Sequence, residues 1–115
     1  MMPYGSTKYG AKKMVIEGTT FASQKEGRRF LELQLMEKAG VILDLQLQPV
    51  FMLQEKFEYF GEKIREIKYI ADFQYFDKEL GYVVVEDVKG MILPEFKLKA
   101  KLFKFRYPHL HLRIT

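Results

Sequence analysis

The chain contains no cysteine among its 115 residues. Disulfide bonds and thiolate metal sites are therefore excluded, and a reducing compartment is a compatible location. No apolar run approaches the roughly 18 residues of a membrane-spanning helix, and the polar N-terminus lacks the apolar core of a signal peptide. We therefore expect a cytoplasmic protein that has no membrane partner.

Acidic residues are missing from both ends of the chain. Residues 1–13 contain three lysines and residues 96–115 contain six basic residues, whereas residues 14–95 contain ten basic residues and all fifteen acids. Basic segments on either side of an acidic centre suit a polyanion such as DNA, which brings its phosphates to bound cations. The alternative is that both segments are solvated and have no partner.

The rest of the composition is typical of a folded chain. Apolar residues make up 48% and charged residues 30%, which predicts a globular rather than a disordered protein. The length suits one hydrophobic core. We therefore predict a single domain over residues 1–115, with a basic and flexible N-terminal segment at 1–13.

Capping residues mark a helix in the first third of the sequence. Ser23 is a good N-cap, Glu26 stands three residues later in the pattern of a capping box, and Gly40 is a natural C-terminal stop. The apolar residues between them supply a core-facing surface. The stretch before this helix, residues 14–21, is predicted to be a short strand.

The middle of the chain has the periodicity of strands. Residues 41–54 alternate apolar and polar positions, with Pro49 requiring an edge or a bulge. The following segment predicts a long hairpin that turns near Gly61, with a second arm from Lys63 to Phe76. Residues 77–81 are then a turn.

A buried strand follows within Val83–Gly90, and the C-terminal region after it is ambiguous. Strict alternation over residues 96–102 predicts a strand. Pro94 and Glu95, however, resemble the first positions of a helix, and the residues after them are good helix formers. The pattern leaves both structures open, and residues 109–115 alternate as a final strand.

Three charged residues suggest a site at the end of the buried strand. Asp87 and Lys89 are two residues apart, so on a strand they share one face. Asp72 lies between apolar neighbours on the preceding strand, where an isolated acid is costly unless it is paired or bound to a metal.

The strand register decides which acids meet. One pairing places Asp72 opposite Asp87, and a shift of one residue places it opposite Glu86. With Asp87 as the partner, Glu86 faces the other way, toward an arginine or lysine of a packed helix. Two neighbouring carboxylates repel each other, and Mg²⁺ relieves this repulsion with carboxylate oxygens, waters and substrate phosphate. The alternative is an ordinary surface ion-pair set.

An acid on one strand followed by acid-x-lysine on the next resembles the PD-(D/E)XK nuclease superfamily. The matching residues are Asp72 and Asp87-Val88-Lys89, with Ala71 where the motif has its proline. The stretches KYGAKK, FASQKEGRRFLEL, LQPVFML, YIADFQY, VVEDVKG and KLFKFRYP occur in the order of a small phage-encoded family of that superfamily. The resemblance covers roughly residues 8–108.

This resemblance implies an α+β, restriction-endonuclease-like fold, in which helices flank a mixed central sheet in the order α-β-β-β-α-β. It favours a helix for residues 95–106. It implies a Mg²⁺-dependent DNA endonuclease, with Mn²⁺ as a possible substitute, that acts on branched DNA in phage recombination or replication. The location would be the host cytoplasm, and a homodimer would suit such two-fold symmetric substrates.

The resemblance also implies roles for single residues. Asp72, Asp87 and Glu26 would hold the metal, with a backbone carbonyl near Val88. Lys89 and Glu26 would be catalytic, with Lys89 orienting or activating water. For Glu26, a purely structural role in the capping box remains the alternative.

DNA binding is predicted for seven basic residues: Lys12, Lys13, Arg28, Arg29, Lys97, Lys101 and Lys104. Solvation of the first helix is the alternative role for the two arginines. At the level of function, the alternative to an enzyme is a DNA-binding or scaffold protein that retains the fold without the reaction. A protein-interaction module that uses exposed aromatic residues is a third possibility.

Overall fold

A computed structural model describes residues 12–115 of the chain. Within them, ten strands and two helices form a mixed α+β fold. The elements are β1 (Met14–Ile16), β2 (Thr19–Phe21), α1 (Gln24–Lys38), β3 (Ile42–Leu47), β4 (Val50–Gln54), β5 (Phe57–Tyr59), β6 (Glu62–Ile64), β7 (Ile67–Ile70), β8 (Phe73–Asp77), β9 (Tyr82–Asp87), α2 (Pro94–Arg106) and β10 (His111–Ile114).

The segment at residues 14–21 is a tight hairpin rather than the single strand that its sequence predicts. β1 and β2 pair antiparallel, with Ile16 opposite Thr19. Glu17 and Gly18 form the two-residue turn, and both have positive φ angles, 51° and 82°. A turn of this kind favours glycine at its second position because no side chain opposes that conformation.

The first helix has the boundaries that its capping residues predict. Ser23 is the N-cap, and its Oγ accepts a hydrogen bond from the Glu26 backbone N–H at 3.1 Å. At the other end Gly40 has a φ of 79° and its N–H donates to the Glu37 carbonyl. Leu33 is fully buried on the inner side of α1 and joins the core with Ile42 of β3.

The predicted long hairpin is present and reverses at Gly61, which has a φ of 82°. One arm is β3–β4–β5, and the other is β6–β7–β8. The arms are not continuous strands, and the edge or bulge expected at Pro49 is a break between two strands of different sheets. Gln48 has a φ of 52° and Pro49 has no N–H to donate, which ends β3 and starts β4 in a different sheet.

The central sheet has the strand order β10-β9-β8-β3. β8 is antiparallel to β3 and to β9, while β10 is parallel to β9, so the sheet is mixed. A parallel neighbour requires a crossover connection, and α2 provides it. The ambiguous segment 96–102 is therefore helical, with Pro94 in the first turn and Phe103 fully buried.

Two apolar cores lie on opposite sides of β9. Val84 belongs to the core under α1, and Val85 belongs to the core under α2, because successive side chains of a strand point to opposite faces. The α1 core contains Phe21, Phe30, Leu33, Ile42, Phe73, Tyr75 and Val84. The α2 core contains Phe51, Leu53, Tyr69, Ala71, Val85 and Phe103.

The chain order of these elements agrees with the predicted order of helix, three strands, helix and strand when each hairpin arm counts once. The small β1–β2 hairpin is an addition before this series. The predicted flexible segment 1–13 lies outside the described residues except for Lys12 and Lys13, which are exposed. Within residues 12–115, neither helix is long and apolar enough to cross a membrane.

Candidate active site

The pairing of β8 with β9 brings two aspartates together. Phe73 lies opposite Glu86, and every pair of this ladder follows the same register. Asp72 lies one residue before β8, where continuation of this register would bring it opposite Asp87. Its N–H donates to the Glu86 carbonyl at 3.1 Å, and its carboxyl neighbours that of Asp87. Of the two registers that the sequence leaves open, the structure therefore has the one that pairs Asp72 with Asp87.

Both aspartates are held by donors from the surrounding backbone and side chains. Asp72 Oδ2 accepts a hydrogen bond of 2.7 Å from the Val88 N–H. Asp87 Oδ2 accepts one from the Tyr69 hydroxyl. Burial and this contact with Asp87 raise the pKa of Tyr69, so the hydroxyl stays protonated as a donor. Asp87 is only 3% exposed.

Burial and neighbouring acids disfavour the ionised forms of Asp72 and Glu26. Burial raises the pKa of Asp72, and the charges of Asp87 and Glu26 raise it further, while the Val88 amide partly opposes the rise. Burial also raises the pKa of Glu26, with an added contribution from Asp87 and opposing ones from the Ala22 amide and Lys89. These are the shifts expected where acids crowd together in a poorly solvated place.

Lys89 contributes a cation at the edge of this acidic group. Its Nζ lies 3.4 Å from Asp87 Oδ1 and 4.3 Å from the centre of the Phe96 ring in the first turn of α2. The Lys89 side chain is 28% exposed, so the ammonium lies between the acids and solvent. This position suits a group that acts on a substrate, and it equally suits a structural partner of Asp87.

Glu26 approaches the same place from the first turn of α1. The residue is 6% exposed. Its charge raises the pKa of Asp72, and the charge of Asp87 raises the pKa of Glu26, so the three carboxyls are neighbours. Its backbone N–H is bound by Ser23, as a helix cap requires. The structure thus brings Glu26 to the site without deciding between its capping role and a catalytic one.

A divalent cation fits this donor set in part. Within residues 12–115, no group of three or more His, Cys, Asp or Glu side chains is arranged so that it could hold a metal ion. Asp72 and Asp87 remain a pair of hard oxygen ligands, and Mg²⁺ is often bound by one or two carboxylates completed by water and phosphate. The pKa of Asp72 is raised first by burial and then by the charges of Asp87 and Glu26, and a bound cation would favour the ionised carboxylate against both.

Glu86 lies on the other side of β9 and belongs to a different arrangement. Its carboxylate accepts two hydrogen bonds from Arg29 of α1, at 2.6 and 3.1 Å, and one from the Tyr75 hydroxyl at 2.6 Å. Burial by itself would raise the pKa of Glu86, but these bonds lower it overall. The expectation that Glu86 faces a basic residue of a packed helix is met by Arg29.

The predicted DNA-binding cations occupy different surroundings. Lys97, Lys101 and Lys104 are exposed, and their spacing of four and three residues places them on one side of α2. Lys12, Lys13 and Arg28 are also exposed. Arg29 is held by Glu86 and by Glu32 at 3.0 Å, so its guanidinium is already used within the fold.

Tyr69 and Lys25 contact residues of the candidate site, and neither was predicted from the sequence. Tyr69 binds Asp87, and its only signal is a place on the strand that leads to Asp72. Lys25 donates to the backbone oxygens of Lys89 and Thr115, at 3.0 and 3.1 Å. Since the partners of Lys25 are 64 and 90 residues away in the chain, no local pattern reveals them.

One protein family is recognisable at the level of the whole chain. The model of a protein family of unknown function, DUF1064, matches residues 6–115. The chain belongs to this family. Comparison with curated proteins and with solved structures finds no significant match. Membership in DUF1064 assigns no activity, so the link to PD-(D/E)XK nucleases stays a prediction.

Proposed function

We propose that this DUF1064 protein is a Mg²⁺-dependent endonuclease that hydrolyses phosphodiester bonds in DNA. The observation that carries the proposal is that the carboxyl of Asp72, just before β8, neighbours that of Asp87 at the end of β9, with Lys89 Nζ 3.4 Å from Asp87. Two neighbouring acids, the buried Asp87 and the half-buried Asp72, cost stability. A cation bound by both carboxylates would offset this cost, which is why we propose a metal site here.

The fold is consistent with this proposal. We propose that α1, the two hairpin arms, β9, α2 and β10 form a restriction-endonuclease-like core around the mixed sheet. The two aspartates stand where β8 begins and β9 ends, between the first turns of α1 and α2. Side chains from four elements therefore converge there, as a catalytic site requires.

Each residue has a distinct proposed task. Asp72 and Asp87 would hold the metal, and Glu26 would support it from α1. When bound, Mg²⁺ supplies Lewis-acid stabilisation of the charge on the phosphate. Lys89, whose Nζ lies 3.4 Å from Asp87, would orient the attacking water or offset negative charge in the transition state.

The basic residues would hold the DNA backbone. Lys97, Lys101 and Lys104 on α2, with Lys12 and Lys13, offer contacts to phosphates. Phosphate contacts position a substrate but do not read its sequence. We therefore propose selection by DNA structure, such as the branched intermediates of phage recombination or replication. A homodimer would match the two-fold symmetry of these substrates.

Cleavage assays test the proposal directly. Purified protein is incubated with branched, nicked, flapped, duplex and single-stranded DNA, each with Mg²⁺, Mn²⁺ or EDTA. We expect metal-dependent cleavage of at least one structured substrate by the wild type. Asp72→Asn and Asp87→Asn variants, purified in parallel, should lose this cleavage while still binding DNA, which excludes a contaminating nuclease.

The second candidate is a DNA-binding or scaffold protein without catalysis. It is favoured by the ion pair of Lys89 with Asp87 and by the lack of a three-residue metal group within residues 12–115. A wild type that binds DNA but cuts none of these substrates with either metal would overturn the enzymatic proposal in favour of this one.

A further inference from the structure

A basic cavity of about 400 Å³ lies beside the candidate active site. Three of its basic side chains, Lys25, Arg28 and Arg29, come from one side of α1, and the fourth, Arg113, comes from β10. Glu32 is the one acidic side chain among the residues that line it. A concave surface with this excess of positive charge is suited to an anion.

The cations of the basic cavity differ in how far their charges are neutralised. Arg29 is paired with Glu86 and Glu32. Arg28 donates to the side-chain oxygen of Gln24 at 3.1 Å, and Arg113 donates to the Tyr75 hydroxyl at 3.1 Å. Gln24 and the protonated Tyr75 are neutral acceptors, so Arg28 and Arg113 keep their charges for a ligand.

Within residues 12–115, each of these two arginines also keeps free donors. A guanidinium has five N–H groups in a planar fork, and Arg28 and Arg113 each use one in the hydrogen bond described above. Such forks bind phosphate oxygens through paired hydrogen bonds. The bonds to Gln24 and Tyr75 orient the two guanidinium groups before a ligand arrives, which reduces the entropy lost on binding.

The basic cavity adjoins the candidate active site through the backbone at the end of β9. Val88 lines the cavity, and its N–H is the donor to Asp72. Lys25, at the cavity edge, binds the carbonyl of Lys89. The basic cavity and the candidate active site therefore share the backbone of Val88 and Lys89 at the end of β9.

We propose that the basic cavity binds the terminal phosphate of a nucleic-acid strand. A terminal phosphate carries close to two negative charges at neutral pH, whereas an internal phosphodiester carries one, so the two uncompensated arginines match the terminal group better. The choice of nucleic acid rests on the proposed function. The assignment of a phosphate group rests on the side chains of the cavity.

Metal-free binding measurements test this inference. Short duplexes with a 5′-phosphate, a 3′-phosphate or hydroxyl ends are titrated in EDTA at fixed ionic strength. We expect one phosphorylated end to bind about tenfold more tightly than the hydroxyl end, the scale of one charge-assisted interaction. Arg28→Gln should remove this preference, because Arg28 is exposed and its substitution leaves the core intact.

A matched control and a direct probe complete the experiment. Lys38→Gln removes an exposed cation from the far end of α1 and should retain the preference for the phosphorylated end. Inorganic phosphate, compared with chloride at equal ionic strength, should shift the guanidinium NMR signals of Arg28 and Arg113. Equal affinity for all three ends would overturn the terminal-phosphate assignment, including the case in which inorganic phosphate binds.

The result is independent of catalysis. A preference for phosphorylated ends in a protein that never cuts DNA would support this inference and overturn only the nuclease proposal. Conversely, cleavage with no preference in the metal-free titrations would overturn only the end-binding inference.

Discussion

Two consecutive acids at the end of β9 have opposite surroundings. Glu86 is fully buried, and hydrogen bonds from Arg29, Tyr75 and Thr115 hold it in the ionised form. Asp87 is nearly as buried, but it faces another carboxyl, Asp72, whose pKa is raised by burial and by its acidic neighbours. The first acid is neutralised by Arg29 of a packed helix, whereas the second is paired with the partly exposed Lys89 and also faces a second acid.

This difference distinguishes a structural acid, Glu86, from a candidate functional acid, Asp87, at neighbouring positions. A buried ion pair with complete hydrogen bonds stabilises the packing of α1 on the sheet as long as both partners remain. Two neighbouring acids contribute no such stability, and a bound ligand that offsets their charge is our proposed reason for their proximity. Burial alone does not distinguish the two acids, whereas the identity of their partners does.

The largest expected effect is the loss of folding stability when Glu86 loses its partner Arg29. Arg29→Ala leaves the Glu86 carboxylate buried without its cation, which should lower the free energy of unfolding by about 3 kcal/mol or more. For a domain of this size the melting temperature should fall by roughly 10 °C or more. Thermal denaturation followed by circular dichroism measures the change.

Glu32→Ala is the matched control for that substitution. It removes the other acid bound by the same guanidinium, at 3.0 Å, but this acid has a side chain that is 65% exposed. Exposed pairs contribute little, so the melting temperature should hardly change. Equal losses in the two variants would contradict the contrast between buried and exposed partners.

The next largest effect is expected on the rate of DNA cleavage when Lys89, the ion-pair partner of Asp87, is removed. If Lys89 serves the transition state, Lys89→Ala should slow single-turnover cleavage about 100-fold or more, as the loss of a positioned electrostatic group does. Lys78→Ala, in an exposed turn, is the control. A folded Lys89→Ala protein that cuts as fast as the wild type, or one that only melts earlier, would assign Lys89 to structure.

A smaller effect concerns the repulsion between the paired acids. The raised pKa of Asp72 means that the metal-free protein binds this proton more tightly when folded. Stability from this group is therefore full below about pH 4, the pKa of an unfolded aspartate, and decreases as pH rises through the higher folded-state pKa. Asp72→Asn removes this loss and should raise the metal-free melting temperature by a few degrees at neutral pH.

The Asp72→Asn experiment has a control and a second measurement. Asp44→Asn changes an exposed acid with a positive φ of 57°, a conformation that asparagine also tolerates, and should show no such gain. Mg²⁺ should stabilise the wild type but not Asp72→Asn. A variant that is less stable than the wild type at every pH would show that Asp72 is a structural anion.

The smallest effect concerns cations that have no role in the fold. Among residues 12–115, Lys97, Lys101 and Lys104 take part in no ion pair. Replacing all three with alanine should weaken DNA binding similarly for unrelated sequences. Each lost phosphate contact should reduce the slope of log affinity against log salt by about 0.9. An unchanged slope would show that these lysines are merely solvated.

Local signals in the sequence predicted several elements correctly. Ser23, Glu26 and Gly40 marked the ends of α1, because capping and left-handed glycine are properties of a few adjacent residues. Gly61 marked the reversal of the hairpin for the same reason. The residues of the site were also recognisable, since an isolated Asp72 and the Asp87–Lys89 spacing are visible without a structure.

Contacts between residues that are distant in the chain could not be predicted from such local signals. The alternation in residues 96–102 allowed a strand or a helix, and the packing of Phe103 edge-on against Phe51 at 4.9 Å fixes it as a helix. The partner of Asp72 depended on the register of two strands, which side-chain packing selects. The contact between Arg29 and Glu86 joins residues 57 apart in the chain.

The sequence by itself determined where α1 begins and ends, where the long hairpin turns and which charged residues are candidates for a site. Only the tertiary structure decided that Asp87 is the acid that meets Asp72 and that Glu86 is neutralised by Arg29. The reason is physical: caps and turns depend on the conformations of neighbouring residues, whereas the partners of a buried charge are brought together by the packing of the whole chain.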